Sequence, residues 1–112
     1  MCRMRKALAR NGVAAIVALI SPSRRSRAEA REMTGPGRFV EAYIRVPLPV
    51  CEKRDPKGLY AKARRGEVDS MTGVQDPYEE PTGPDLAIDA GESDPEASCG
   101  ELVAGLRRPG KP

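Results

Sequence analysis

The stretch VAAIVALI, residues 13–20, decides the fold class, because its eight residues are all apolar. A strand that is covered on both faces is apolar throughout, so such a run is typical of a buried strand in a parallel sheet. A secretory signal peptide is the alternative, since four basic residues lie within 1–10. The run is short for that role, and SPSRR at 21–25 stands where a small-residue cleavage site is expected. We therefore favour a strand and expect a cytoplasmic protein.

Outward from this run, helical and extended patterns alternate along the chain. They predict helices over 2–11, 25–33, 57–65 and about 94–107, and a short helix from the PLP segment at 47–49 to about Arg54. They also predict strands over 39–46 and 86–88, a long loop over 66–85 and a frayed tail at 109–112. The segment SDPE at 93–96 resembles a capping box, in which Ser93 caps the last helix and Glu96 reaches back. This order predicts an α/β fold with parallel strands and flanking helices.

Length and composition restrict the functions that the chain can have. A chain of 112 residues forms one domain, 1–112, with one hydrophobic core. The net charge of +3 is mild, and no aromatic residues interleave with the basic clusters, so we expect no nucleic-acid partner. We also expect no membrane partner, since a membrane span needs about 20 apolar residues.

The reactive residue types exclude further classes. The chain contains no histidine, which excludes nucleophile pairs of the Ser-His and Cys-His kinds. Its three cysteines are far apart, so they indicate neither a metal site nor a disulfide framework.

Two segments are candidates for ligand binding. Ser21-Pro22 follows the predicted strand, and the loops that follow parallel strands form the edge where open α/β sheets bind ligands. A simple strand stop is the alternative interpretation. The second segment, DPKGLYAKAR at 55–64, concentrates basic side chains at helical spacing. This charge suits a mobile lid over phosphates or sulfates, spanning about 52–80, although a solvated surface is the alternative.

Four blocks of sequence together resemble one enzyme family. They are ALISPSRRSR (18–27), GRFVEAYIRVPLPVCEKRDPKGLYAKARRGEV (37–68), MTGVQDPYEEP (71–81) and LAIDAGE (86–92). In this order and spacing they resemble adenylyl-sulfate kinase (APS kinase), which transfers the γ-phosphoryl group of ATP to the 3′-hydroxyl of adenosine 5′-phosphosulfate in sulfate assimilation. The resemblance implies a P-loop-kinase-like three-layer α/β fold, ATP and Mg²⁺ as cofactors of the full domain, and adenosine 5′-phosphosulfate as substrate. It also implies a homodimer or pairing with an intact kinase.

The resemblance assigns roles to individual residues. Those contacting the sulfonucleotide would be Ile20, Ser21, Lys57, Ser70 and Met71, and Ser21 would also be a catalytic candidate, as a phosphoserine. Those facing phosphate from the lid would be Arg54, Lys62 and Arg64, and Gly91 and Ser93 would lie in the loop near the ATP adenine. The resemblance assigns no residue of this chain to a metal.

The chain departs from the family pattern at several points. Met71 stands where the family has a phenylalanine that stacks on the substrate adenine, and Gln75 replaces an aspartate. The 112 residues contain no G-x-x-x-x-G-K-[ST] motif, the loop that cradles phosphates and helps to hold Mg²⁺, and the family's Asp-Gly-Asp segment is also missing. Because phosphoryl transfer depends on positioning and charge neutralisation, we expect this chain to be an incomplete, truncated domain that is inactive alone.

The missing motif has a consequence for folding. The resemblance places the P-loop strand between the strands predicted over 13–20 and 39–46. We therefore expect these two runs either to flank an empty slot or to pair with each other, and we expect the isolated monomer to have low stability.

Three functions remain open at this point. The chain is a truncated adenylyl-sulfate kinase domain, a non-catalytic binding or regulatory partner of an intact kinase, or a basic interaction protein without a nucleotide role. Binding of adenosine 5′-phosphosulfate is expected for the first two and not for the third.

Overall fold

Helices and strands alternate along the chain as the sequence predicts. A computed structural model describes residues 10–107. In chain order its elements are α1 (Arg24–Thr34), β1 (Ala42–Arg45), α2 (Leu48–Arg54), α3 (Leu59–Arg64), β2 (Leu86–Asp89) and α4 (Pro95–Leu106). Four predicted helices and the strand predicted over 86–88 are therefore confirmed, with small changes at their ends, and the strand predicted over 39–46 is confirmed only over Ala42–Arg45, half of its length. The predicted helix over 2–11 lies almost wholly outside the described residues, and the predicted tail at 109–112 lies outside them.

The two strands pair in parallel. Ala42 lies opposite Leu86, and Arg45 lies opposite Asp89. The connection between the strands contains α2 and α3, in keeping with the long crossover that parallel pairing requires. Ile88 in β2 is only 3% exposed, and α4 packs onto the same strand. The predicted α/β fold with parallel strands and flanking helices is confirmed.

Local capping explains where the helices begin and end. The hydroxyl of Ser23 accepts the N–H of Ser26 at the start of α1, and Gly35 ends this helix with a φ of 94° that favours glycine. The carboxylate of Asp55 accepts two N–H groups in the first turn of α3. Gly58 precedes that helix with a φ of 66°. The DPKG segment at 55–58 therefore forms the N-terminal cap of α3, in addition to belonging to the basic segment.

The predicted strand over 13–20 is wrong. These residues form neither helix nor strand, and all eight are exposed, with Ile16 exposed to 93%. An apolar run becomes a strand only where a neighbouring backbone pairs with its N–H and C=O groups, and no strand within 10–107 does so. Most of this run lines an open groove of about 1520 Å³ that 39–46 also lines. This arrangement agrees with an empty slot rather than with direct pairing of the two runs.

The predicted capping box at 93–96 is wrong by one residue. The cap of α4 is Asp94, whose carboxylate accepts the N–H of Ala97 at 2.7 Å. Pro95 explains the shift, because proline is favoured at the first helical position and places the cap at the residue before it. The hydroxyl of Ser93 instead donates to the Asp89 carbonyl at 3.1 Å, which ties the loop to the end of β2.

Candidate functional site

The candidate site is the open groove. Residues of α1 line it, among them Arg27, Ala30 and Met33, and three longer segments of the chain do so as well. These are most of 13–21, all of 38–48 and all of 71–78. The first is the exposed apolar run, the second contains β1, and the third belongs to the long loop. The groove therefore brings together residues up to 93 positions apart in the sequence, counted from Val13 to Leu106.

Ile20 and Ser21 lie where the apolar run meets α1, and both line the groove. Ser21 has a φ of 44°, in the left-handed region that residues other than glycine rarely adopt. Its carbonyl accepts a hydrogen bond from the Arg27 guanidinium. The Pro22 carbonyl accepts the N–H of Glu79 at 2.9 Å. Contacts from α1 and from the long loop thus hold this turn in an uncommon backbone conformation.

Met71 lines the groove from within a tight turn of the long loop. Its carbonyl accepts the N–H groups of Val74, Gln75 and Asp76. The hydroxyl of Ser70 is hydrogen-bonded to the Asp76 carboxylate, and Ser70 is not among the lining residues. The structure therefore brings Ile20, Ser21 and Met71 to one groove, while Ser70 stabilises the turn behind Met71.

Three basic residues of the predicted lid lie away from the groove lining. Lys57 and Lys62 are exposed. Arg64 forms an ion pair with Glu52 at 2.5 Å, which joins α3 to α2. None of the three lines the groove.

Arg54 lies at the end of α2 and contacts the loop after β2. Its guanidinium donates to the carbonyls of Ala90 and Gly91, at 3.0 and 2.8 Å. A Cβ on Gly91 would lie 3.1 Å from Cδ of Pro47, so this loop packs closely on the start of α2. Arg54 therefore connects the predicted lid with the loop of Gly91 and Ser93, and none of these three residues lines the groove.

A polar and aromatic cluster in the groove lining is not among the residues that the sequence predicts. Arg27 is only 9% exposed, and its guanidinium lies 5.7 Å from the ring centroid of Tyr78. The Tyr78 ring in turn stacks on Tyr43, with centroids 6.3 Å apart. Two signals could have indicated the cluster: the arginines at 24, 27 and 31, which share one helical face, and the paired glutamates at 79–80.

The same cluster anchors the end of the long loop to the start of α1. The backbone N–H of Arg24 donates to the Glu79 carboxylate at 3.1 Å, and its side chain donates to the Glu80 carbonyl at 2.7 Å. A carboxylate at a helix N-terminus is favoured by the unpaired N–H groups there. The DPYEEP segment at 76–81 is therefore fixed to the helix that follows Ser21.

Two tyrosines that line the groove bind their protons more tightly than usual. Burial, followed by the negative charge of Glu80, raises the pKa of Tyr43 above its ordinary value. Burial, followed by the neighbouring Cys51, raises the pKa of Tyr60. Since an ordinary tyrosine pKa is about 10, both phenols are neutral near pH 7.

Residues 10–107 contain neither a metal-binding cluster nor a helix that could span a membrane. No group of three or more His, Cys, Asp or Glu side chains in that range is placed to hold a metal ion. No helix in the same part of the chain is long and apolar enough to cross a bilayer.

Comparisons with known proteins agree on one family. The family model described as adenylylsulphate kinase matches residues 1–89. The adenylyl-sulfate kinase of Bacillus velezensis is 47% identical over 98 residues, which cover 88% of this chain and 50% of the relative. The probable adenylyl-sulfate kinase of Pyrococcus abyssi is 53% identical over 100 residues, which cover 89% of this chain and 56% of the relative. The chain thus spans about half the length of the curated relatives that it matches.

A solved structure supports the same assignment. The Mycobacterium tuberculosis APS kinase, in complex with AMPPNP and APS, matches with a TM-score of 0.78 at 35% identity. The match covers 96% of this chain and 66% of that chain. Sequence and backbone therefore agree over most of the residues, and this chain belongs to the adenylyl-sulfate kinase family.

Proposed function

We propose that this chain forms the sulfonucleotide-binding side of an adenylyl-sulfate kinase domain. In the full domain, the γ-phosphoryl group of ATP would pass to the 3′-hydroxyl of adenosine 5′-phosphosulfate. One observation carries the proposal: Ile20, Ser21 and Met71, which the resemblance assigns to the sulfonucleotide, line one groove of a chain that belongs to this family.

Different groove residues would contact different parts of the ligand. Ile20 and Ser21 would contact the phosphosulfate end at the turn before α1, and the Met71 thioether would pack on the adenine. Lys57 and Lys62, both exposed, would approach the anionic groups when the 52–80 lid closes. The contact of Arg54 with Gly91 would transmit that closure to the loop that the resemblance places near the ATP adenine.

ATP and Mg²⁺ belong to the proposed function of the full domain. The described residues do not fit an Mg²⁺ site by themselves, since 10–107 contain no cluster of metal-binding side chains. The 112 residues also lack the G-x-x-x-x-G-K-[ST] motif. We therefore propose that this chain alone binds adenosine 5′-phosphosulfate without transferring phosphate. Ser21 then serves in binding, because in-line transfer requires no covalent step.

Calorimetric titration with adenosine 5′-phosphosulfate tests the binding part of the proposal. We expect a micromolar dissociation constant for the wild-type chain. Ile20→Glu, which adds a negative charge at the groove, should weaken binding at least about tenfold. Leu59→Glu adds the same charge at an exposed position on α3, outside the groove, and should change affinity less than about threefold. Absence of binding by the wild-type chain would contradict the proposal.

A coupled assay for ADP tests the part that concerns catalysis. We expect no ADP above background when the purified chain is given ATP, Mg²⁺ and adenosine 5′-phosphosulfate. ADP formation that requires the sulfonucleotide, in a preparation free of host kinase, would show that the chain is active alone.

A cytoplasmic location is the part of the proposal that rests on the thiols. Cys51 and Cys99 are both free, and free thiols are usual in a reducing compartment. Fractionation of the native host, with the chain detected by antibody, tests this location.

A further inference from the structure

Arg27 has an unusual position for a charged residue. It is the one buried charged side chain within residues 10–107. Its two terminal nitrogens donate to the carbonyls of Ser21 and Glu79, and Nε lies 3.2 Å from the Glu41 carboxylate. A buried guanidinium is tolerated only when its N–H groups have acceptors. Here each nitrogen has an acceptor on a different segment of the chain.

All three acceptors belong to segments at the groove, and Glu41 itself lines it. Ser21 lines the groove and, within residues 10–107, is the one residue other than glycine whose φ lies in the left-handed region above about 20°. Such a backbone costs on the order of 1–3 kcal/mol and persists only where its surroundings hold it. Glu79 follows Tyr78, another lining residue, and its N–H is bonded to the Pro22 carbonyl at 2.9 Å. The Ser21 turn and the 77–80 segment therefore meet at Arg27.

We infer that Arg27 is a positioning residue, which holds the Ser21 turn and the 77–80 segment together as one wall of the groove. The inference deepens the proposed function and rests on it, because that function gives the wall a ligand. Arg27 itself lines the groove, but we do not assign it to direct ligand binding, because each of its nitrogens already has an acceptor and its side chain is buried. It acts through the backbone of Ser21 and Glu79, which it fixes before the ligand arrives, so that less ordering remains to oppose binding.

The planar guanidinium is essential to this role. It presents donors in fixed directions to two carbonyls and a carboxylate, and its face packs on the Tyr78 ring. A lysine ammonium carries the same charge on a flexible stem and lacks the planar array that reaches all three acceptors. Arg27→Lys should therefore lose the positioning while it keeps the charge.

Arg31 provides a matched control on the same helix, one turn further on. It forms ion pairs with Glu41 and Asp85, and its guanidinium lies 4.9 Å from the centroid of the Phe39 ring. Both arginines thus have an acidic partner and an aromatic partner. The difference is that Arg27 also contacts the carbonyls of the groove wall, so replacing Arg31 should remove comparable structural contacts without releasing that wall.

The experiment compares the wild-type chain with Arg27→Lys, Arg27→Ala and Arg31→Ala. Hydrogen exchange of the Glu79 backbone amide, measured by NMR, shows how firmly the groove wall is held. Titration with adenosine 5′-phosphosulfate measures the affinity of the site. We expect both Arg27 variants to raise the Glu79 exchange rate and to weaken binding, each by at least about tenfold. Arg31→Ala should change each quantity less than about threefold. Thermal unfolding shows whether each variant is folded. If Arg27→Ala is not folded, the comparison rests on Arg27→Lys.

The outcomes separate the inference from the proposed function. If the wild-type chain does not bind the sulfonucleotide, the proposed function fails, and the Glu79 exchange rate alone decides whether Arg27 fixes the wall. If the wild-type chain binds and Arg27→Lys retains wild-type exchange and affinity, the inference is wrong. Equal losses in Arg27→Lys and Arg31→Ala would also overturn it, because they would indicate a general structural contribution.

Discussion

At the scale of single residues, Gln75 has a structural role. The family resemblance does not explain why it replaces an aspartate. Its amide nitrogen donates to the carbonyls of Ala63 and Val68, at 3.2 and 2.9 Å. The aspartate of the family pattern has no N–H to donate when it is ionised. Gln75 therefore closes the turn of Met71 onto the end of α3, in a way that a carboxylate cannot.

Gln75→Glu should loosen this closure. The substitution removes two donated hydrogen bonds and sets a carboxylate near two carbonyl oxygens, so we expect unfolding to become easier by about 1–2 kcal/mol. Urea unfolding measures the loss, and limited proteolysis should show faster cleavage within 66–76. Thr82→Glu adds the same charge at an exposed loop position and serves as the control. Equal stability of the two variants would contradict the prediction.

Met71 provides a second test at this scale, on ligand binding. A thioether packs on a base but lacks the ring that stacks on it, and stacking contributes about 1–3 kcal/mol in nucleic-acid sites. Met71→Phe should therefore bind adenosine 5′-phosphosulfate about tenfold or more tightly than the wild-type chain. Met71→Leu keeps the size without a ring, so its affinity should stay near the wild-type value. A gain with leucine equal to that with phenylalanine would indicate that size, and not stacking, matters.

At the scale of elements, the contact between α4 and β2 depends on a glycine. A Cβ on Gly105 would lie 2.5 Å from a methyl carbon of Leu86, which is closer than packed atoms approach, whereas a Cβ on Gly100 would meet nothing within 4 Å. Both glycines lie in the same helix. They therefore allow the effect of packing to be separated from the effect of helix propensity.

Gly105→Ala should destabilise the chain by about 1–3 kcal/mol through overpacking. Gly100→Ala should stabilise it by up to about 1 kcal/mol, because alanine is the better helix former. Urea unfolding followed by far-ultraviolet circular dichroism measures both changes. If the two variants shift in the same direction, α4 does not pack on β2 as described.

The pairing of β1 with β2 includes an ion pair that makes stability depend weakly on pH. Arg45 and Asp89 lie opposite each other, and their side chains are joined at 2.5 and 2.8 Å. The hydrogen bond from Arg45 holds the pKa of Asp89 below its ordinary value. A carboxylate of this kind stabilises the folded state above its unfolded pKa of about 3.9, and the contribution disappears as the pH falls through the lower folded pKa.

The stability advantage of the wild-type chain over Asp89→Asn should therefore shrink as the pH is lowered from about 7 to about 3. It should be small at every pH, because both side chains are more than half exposed. Denaturant midpoints at several pH values measure the difference, and about 1 M salt should reduce it further. An advantage that grows on acidification would contradict the assignment.

Across the scales, the sequence predicted most of the elements because their signals are local. Proline at the start of α2, glycine at the end of α1 and Asp94 at the start of α4 act within one turn of chain. The strand predicted over 13–20 was wrong because a strand needs a neighbouring strand to pair with, and the local sequence does not show whether there is one. The predicted Ser93 cap was wrong because Ser93 and Asp94 are both suitable helix caps and only one of them can occupy the cap position.

The site was only partly predictable for the same reason. Ile20, Ser21 and Met71 were found through the family resemblance, and no spacing rule would have placed them on one groove. The contact between Arg27 and Glu79 joins residues 52 positions apart, so neither helical periodicity nor composition could indicate it. The lid cations were predicted by charge, which does not tell whether an arginine pairs with Glu52, as Arg64 does, or with a backbone carbonyl, as Arg54 does.

At the scale of the whole molecule, the small core and the exposed apolar run should limit stability. Only Ala63, Ile88 and Ala90 are buried hydrophobic residues within 10–107, while Ile16 is almost fully exposed. Exposed apolar surface of this kind promotes association. We also expect the monomer to unfold at low temperature, and a sharp cooperative transition above about 50 °C would count against this.

Ile16→Ser should lower self-association with little change in unfolding free energy, because the side chain is already in water. Ile88→Ser should instead cost about 3–5 kcal/mol, since it removes buried apolar contacts and buries a hydroxyl. Analytical ultracentrifugation at several concentrations measures association, and urea unfolding measures stability. If Ile16→Ser associates like the wild-type chain, another surface is responsible.

The stacked rings of Tyr43 and Tyr78 give the molecule an optical property that needs no label. The chain contains no tryptophan and only three tyrosines, so its intrinsic emission and its aromatic circular dichroism come mainly from tyrosine. Two of the three chromophores are coupled across β1 and the long loop. A change in the spacing of these rings, whether caused by a ligand, by denaturant or by a neighbouring substitution, should therefore appear directly in the spectrum of the unmodified protein.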